Sequence, residues 1–168
     1  MQTIKKVFIA GGTGFLGYHA ALKFLDLGIQ VDTIALENEI EISNWFDSRI
    51  HLSYGNLFTM NESEIYNLLK DKNYDCFIYA LGPDDRYIPK APAYDFFYDR
   101  LVRQCKKICQ AAKRANIQRC VILGSYFATY DKHMNGKLSK YHPYIKARIQ
   151  EEQVLIALGR DSLFSVMI

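Results

Sequence analysis

No run of 18 apolar residues occurs in this chain, so no stretch of it is long enough to cross a bilayer as a helix. The basic, apolar and cleavable parts of a secretory signal are also missing, because a strand pattern begins within the first residues. There is no long basic block. Lys and Arg number 21 against 18 Asp and Glu, a net charge of +3 over 168 residues. That balance is too mild to argue for nucleic acid or an anionic membrane surface as a partner. The four cysteines show neither disulfide nor zinc spacing, and His19, His51, His133 and His142 are scattered. Cys76 and Cys120 fall in apolar runs, and Cys105 and Cys109 stand one helical turn apart. The expectation is four small buried thiols in a reducing compartment, and no metal site. A cytoplasmic location follows by default. Repeats, low-complexity tracts and linkers are lacking too. The length suits one domain that buries roughly two thirds of its unfolded surface.

What is present is a regular alternation of strand and helix patterns. Strands are expected over Ile4–Ala10, Val31–Leu36, Ile50–Tyr54, Cys76–Leu81, Arg119–Leu123 and Phe164–Ile168. Helices are expected over Phe15–Leu27, closed by Gly28, and Glu62–Lys70, capped by Asn61. Two more fall over Tyr94–Ala115 and over Tyr144–Leu158, the latter opened by Pro143. Three of the four prolines lie in Gly82–Pro92, which reads as a loop, and residues 131–143 read as a polar loop. Such alternation predicts a doubly wound α/β domain of Rossmann type, a parallel sheet of order 3-2-1-4-5-6 with helices on both faces and an incomplete sixth strand. Its switch point lies between strands one and four. Gly11–Gly17, Leu81–Asp85 and Gly124–Tyr126 then surround one cleft.

The motif within that frame is Gly11-Gly12-Thr13-Gly14-Phe15-Leu16-Gly17, directly after the apolar run Val7-Phe8-Ile9-Ala10. Gly11 and Gly14 allow a tight turn and close approach to a pyrophosphate, and Gly17 lets the helix lie near the strand. The helix N-terminus offers free N–H groups and a positive dipole end. This arrangement points to a dinucleotide site. Glu37, twenty residues past Gly17, stands about where an acidic residue bonds an adenosine ribose hydroxyl. No basic cluster for a 2′-phosphate is evident near Leu36, so the cofactor expectation is NAD(P) with a lean to NAD.

Several further motifs coincide in order, and with them the sequence resembles the extended short-chain dehydrogenase/reductase family, the NAD-dependent epimerase/dehydratase group. Gly11, Gly14 and Gly17 have that family's Gly-x-x-Gly-x-x-Gly spacing. Gly55-Asn56-Leu57 looks like its Gly-Asp-Leu turn at the adenine, with Asn56 in place of Asp. Tyr79-Ala80-Leu81-Gly82 looks like the segment that passes the ribose and nicotinamide end. Val121-Ile122-Leu123-Gly124-Ser125 looks like the strand end that delivers a catalytic Ser. Tyr144-Ile145-Lys146-Ala147-Arg148 matches the catalytic Tyr-x-x-x-Lys with Arg148 in place of lysine, followed by Glu151-Glu152 at the family's acidic positions.

The resemblance covers essentially all 168 residues but only the cofactor half of a typical member. It implies that residues 1–168 form the dinucleotide-binding domain and that a small substrate-binding domain lies outside them. Cofactor contacts are expected from Gly11, Thr13, Gly14, Phe15, Leu16, Gly17, Glu37, Asn56, Leu57, Ala80, Leu81 and Gly82. Ser125 is expected to hold the reacting oxygen, Tyr144 to pass its proton and Arg148 to stand in for the lysine. Tyr126 is the alternative for the serine position, and Leu101 or Arg100 falls where the family often carries Asn. The residues also admit plainer roles: Ser125 as a turn hydroxyl, Tyr144 as an interface tyrosine, and Arg148 as a solvated partner of Glu152. Asp84-Asp85-Arg86 reads either as a substrate contact or as a charged loop, with the lean to the loop because loops default to polar surface.

The implied function is an oxidoreductase or epimerase/dehydratase acting on a small hydroxyl or carbonyl substrate, a nucleotide sugar among the options. The alternative is a non-catalytic, NmrA-like dinucleotide-sensing regulator. A structural or RNA- or membrane-binding protein is a third class, against which the mild charge argues. The expected partners are the cofactor and a small-molecule substrate, with no nucleic acid or membrane. A homodimer is an option, since an edge strand with little cover invites self-association.

Overall fold

The computed structural model describes residues 3–36, 45–160 and 164–167. Six strands, β1 (Lys6–Ala10), β2 (Gln30–Ala35), β3 (His51–Tyr54), β4 (Cys76–Tyr79), β5 (Arg119–Ile122) and β6 (Ser165–Met167), form one parallel sheet. Their order is β3-β2-β1-β4-β5-β6, the doubly wound order that the strand–helix alternation predicts.

β1 and β4 sit at the centre and are buried on both faces, which is why they read as unbroken apolar runs. Their side chains alternate between two cores. Val7, Ile9, Cys76 and Ile78 face α1 (Phe15–Asp26) through Ala21. Phe8, Ala10, Phe77 and Tyr79 face α2 (Glu62–Leu69), α4 (Gln104–Arg114) and α6 (Pro143–Gly159), through Ile65, Ile108 and Leu155. The four thiols lie inside these cores, unbridged and buried.

Local chemistry explains the helix boundaries. Asn61 and Glu64 form a reciprocal capping box at α2, with Glu64 N–H donating to Asn61 Oδ1 at 3.0 Å and Asn61 N–H to Glu64 Oε2 at 2.7 Å. Pro143 opens α6, and Lys113 Nζ donates to the Leu158 carbonyl at its far end.

Two elements differ from expectation. The helix expected over Tyr94–Ala115 is α3 (Ala93–Phe97), a π-helical turn (Tyr98–Arg103) and α4. Leu101 and Val102, adjacent within that turn, are both buried. A helix not expected at all, α5 (Tyr126–His133), covers the start of the expected polar loop. Its signal is masked by Asp131, which is buried and accepts the N–H groups of Leu138 and Ser139 at 2.8 and 2.9 Å. A carboxylate that fastens a loop looks in sequence like one that belongs to it.

Candidate active site

Immediately after β1 the backbone turns at Gly11 with φ 92°, a left-handed conformation open to glycine. A Cβ there would lie 2.6 Å from the Ala80 carbonyl oxygen, so the absence of a side chain also lets the end of β4 approach. Gly17 lies against the same turn. A Cβ on it would come 2.1 Å from the Gly11 carbonyl oxygen, far inside van der Waals contact. Gly14 N–H closes the turn on the Gly11 carbonyl at 3.0 Å. α1 then begins with no side-chain cap and no acidic residue in its first turn. Its first N–H groups and positive dipole end are left for an anion.

A buried threonine completes this device. Thr33 on β2 accepts the Gly12 N–H at 3.0 Å and donates to the Ile9 carbonyl at 2.6 Å. One hydroxyl therefore ties the glycine turn to two strands. A lone Thr in a strand reads as ordinary β propensity, so the sequence carries no warning of it.

The turn opens onto a cavity of about 340 Å³. Gly11, Thr13 and Gly14 form one wall, Ile34–Leu36 a second, the segment from Tyr54 to Phe58 a third, and Ala80–Gly82 the floor. Asn56 shapes the third wall. Its Oδ1 accepts the Phe58 N–H at 3.0 Å and its carbonyl accepts those of Thr59 and Met60, so its oxygens are engaged in the turn itself. Lys107 on α4 fastens that turn by donating to the Phe58 and Met60 carbonyls at 3.0 and 2.7 Å, and burial holds its pKa below the usual lysine range.

A second cavity, about 230 Å³, shares Ala80–Gly82 with the first. Ser125, Tyr126, Tyr144, Arg148 and Leu16 line it. Ser125 precedes α5 in an extended conformation and makes no capping bond. Tyr144, 5% exposed, is held edge-on by Phe97 at 5.4 Å between centroids. Neither hydroxyl is engaged by another described residue, so both are available to a third oxygen.

Arg148 lies beneath them. Its Cζ is 5.8 Å from the Tyr144 ring centre, its Nη1 donates to Glu151 Oε2 at 2.6 Å, and its Nη2 donates to the Leu123 carbonyl at 2.7 Å. This corrects the option of a solvated arginine paired with Glu152. Arg148 is buried, and Glu152 pairs instead with Lys132 at 2.8 Å. The reason is the strand end, whose carbonyl draws the guanidinium inward. Lys146 leaves the cavity altogether and sits 4.5 Å over the Tyr94 ring.

Most of the residues expected to form a site therefore line two cavities that share Ala80–Gly82. Phe15 and Gly17 do not. Phe15 is 78% exposed beside His19, and Gly17 acts from behind the turn. Glu37 lies outside the described residues. Asp84 and Arg86 form an exposed ion pair at the rim, in keeping with a charged loop.

A family model for the NAD dependent epimerase/dehydratase family matches residues 7–168. The chain belongs to that family. No curated protein sequence matches this epimerase-family chain. Among solved structures it is similar to UDP-glucose 4-epimerase from Bifidobacterium longum, bound to NAD+ and UDP, at 16% identity and TM-score 0.75, over 96% of this chain and 51% of that one. It is similar to the Bordetella bronchiseptica enzyme WbmH, bound to NAD+, at 20% identity and TM-score 0.69, over 93% and 53%. The WbmG enzyme of the same organism, bound to NAD and UDP, matches at 12% identity and TM-score 0.71, over 92% and 50%. The family member described here spans about half the length of these chains. Among the described residues, no helix is long and apolar enough to cross a membrane.

Proposed function

We propose that this chain is the dinucleotide-binding part of an NAD-dependent enzyme that works on a hydroxyl of a nucleotide sugar. The observation that carries the proposal is that Ala80–Gly82 line both cavities, with the glycine turn in the lining of one and Ser125, Tyr144 and Arg148 in the lining of the other. The larger cavity suits an adenosine, with apolar walls from Ile34 and Leu57 and polar backbone at Asn56. The pyrophosphate would meet the uncapped start of α1, where no acidic side chain opposes it. The nicotinamide, when bound, accepts or returns a hydride. Tyr144, starting as the phenolate, would take the hydroxyl proton and become the phenol, Ser125 would hold the same oxygen, and the positive charge of Arg148 beneath the ring would favour the phenolate. The bound NAD and UDP in the similar structures support both the cofactor and the substrate class.

Fluorescence titration with NADH, and separately with NADPH, is the first test. Saturable binding that favours NADH is the expected result, and absence of binding to either refutes the proposal. Tyr144→Phe is expected to keep cofactor affinity in this chain and to abolish UDP-sugar turnover in a longer protein that adds the substrate-binding domain. A second reading, an NmrA-like regulator that senses the dinucleotide, is favoured by one observation. Arg148 spends both terminal nitrogens on Glu151 and Leu123. Cofactor binding with no UDP-sugar turnover by a longer protein that carries this chain together with a substrate-binding domain would select it.

A further inference from the structure

We propose that Glu151 is a positioning residue of this site, and the inference rests on the function proposed above. Its carboxylate grips Arg148, and Arg148 in turn holds the strand end Leu123–Ser125 beneath Tyr144. The chain of contacts is short: Glu151 Oε2 to Arg148 Nη1 at 2.6 Å, then Arg148 Nη2 to the Leu123 carbonyl at 2.7 Å, two residues before Ser125. Glu151 is 2% exposed and lies behind the cavity, away from any position a ligand could touch.

Stability alone does not account for this pair. Arg148 Nε and Glu151 Oε1 are both buried without a hydrogen-bond partner, as is the Tyr79 hydroxyl. A buried ion pair with unsatisfied atoms is commonly no more stable than an apolar pair of the same volume. What it does supply is direction. A guanidinium gripped at one nitrogen presents the other along a fixed line, which a lysine ammonium does not do.

The groups around the carboxylate are few. Arg148 and Glu152 lie on its own helix, the Cys105 thiol faces it from α4, and Tyr79 lies nearby on β4. Burial raises its pKa, against the pull of Arg148 and Cys105, to about 7. The grip is therefore made at alkaline pH and relaxed at acid pH.

The test uses the 168-residue chain with NADH, which would reach the second cavity, and AMP, which would fill only the first. For wild type, NADH binding is expected to be tighter at pH 8 than at pH 6, with AMP binding nearly level. Glu151→Gln should weaken NADH at pH 8 on the order of tenfold, the worth of one charge-assisted hydrogen bond, and should leave AMP unchanged. Glu151→Asp should restore part of the loss. The double variant Arg148→Met/Glu151→Leu should fold, by circular dichroism, and should bind AMP but not gain the NADH increment at pH 8. Equal NADH affinity of Glu151→Gln and wild type at pH 8 would overturn the inference while leaving the dinucleotide site intact. Parallel loss of AMP and NADH would also overturn it, as a general structural effect. Wild type that binds neither ligand sinks the proposed function and this inference together.

Discussion

Replacing Glu151 by Gln should change how the stability of this chain depends on pH, by an amount the structure allows to be worked out. The carboxyl is buried against Arg148, Cys105 and Tyr79, and its pKa moves from 4.5 to about 7 on folding. A raised carboxyl pKa means that the native state prefers the protonated form. The stability it contributes is thus fully present below pH 4.5 and is lost as pH rises through 7. A tenfold change in proton affinity is worth about 1.4 kcal/mol, so the full loss is about 3 kcal/mol. Gln cannot ionise and is free of this loss. The stability difference, variant minus wild type, should therefore grow by about 3 kcal/mol between pH 4.5 and pH 8, whatever its offset at acid pH. Urea unfolding of both proteins at half-unit steps across that range measures it directly. Parallel curves, or a difference that shrinks with pH, would refute the argument. The first would mean that the carboxyl titrates normally, and the second that Arg148 holds it below its ordinary value.

Two other outcomes follow from the glycine turn. Gly17→Ala places a methyl 2.1 Å from the Gly11 carbonyl oxygen, so α1 must move off β1; a loss of about 1–3 kcal/mol in unfolding and of measurable AMP binding is expected. Thr33→Val keeps the shape but orphans the buried Gly12 N–H, which should cost about 1–3 kcal/mol by urea unfolding and weaken AMP as well.

How much of this is legible in the sequence depends on the range of the interaction. The strand order, the glycine turn and the Asn61 cap are local or periodic features. Val7-Phe8-Ile9-Ala10 is apolar throughout because β1 is covered on both faces, and that pattern survives in one dimension. α5 is not legible, because Asp131 serves a contact seven residues away. The partner of Arg148 is not legible either. Helical spacing offers Glu151 and Glu152 almost equally, three and four residues on. What separates them is the position of Leu123, which comes from another strand. The roles of Thr33, Lys107 and Glu151 are hidden for the same reason, since each acts on backbone or side chains far away in sequence or inside the core.

The sequence by itself determined the alternation of strands and helices, their parallel order and the place of the glycine turn after β1. Those follow from side-chain periodicity and from glycines where a Cβ cannot fit. Only the tertiary structure decided that Ala80–Gly82 line two cavities at once, and that Arg148 turns inward to Glu151 rather than outward to Glu152. Burial and pairing between distant segments fix such choices, and neither is written in the order of the residues.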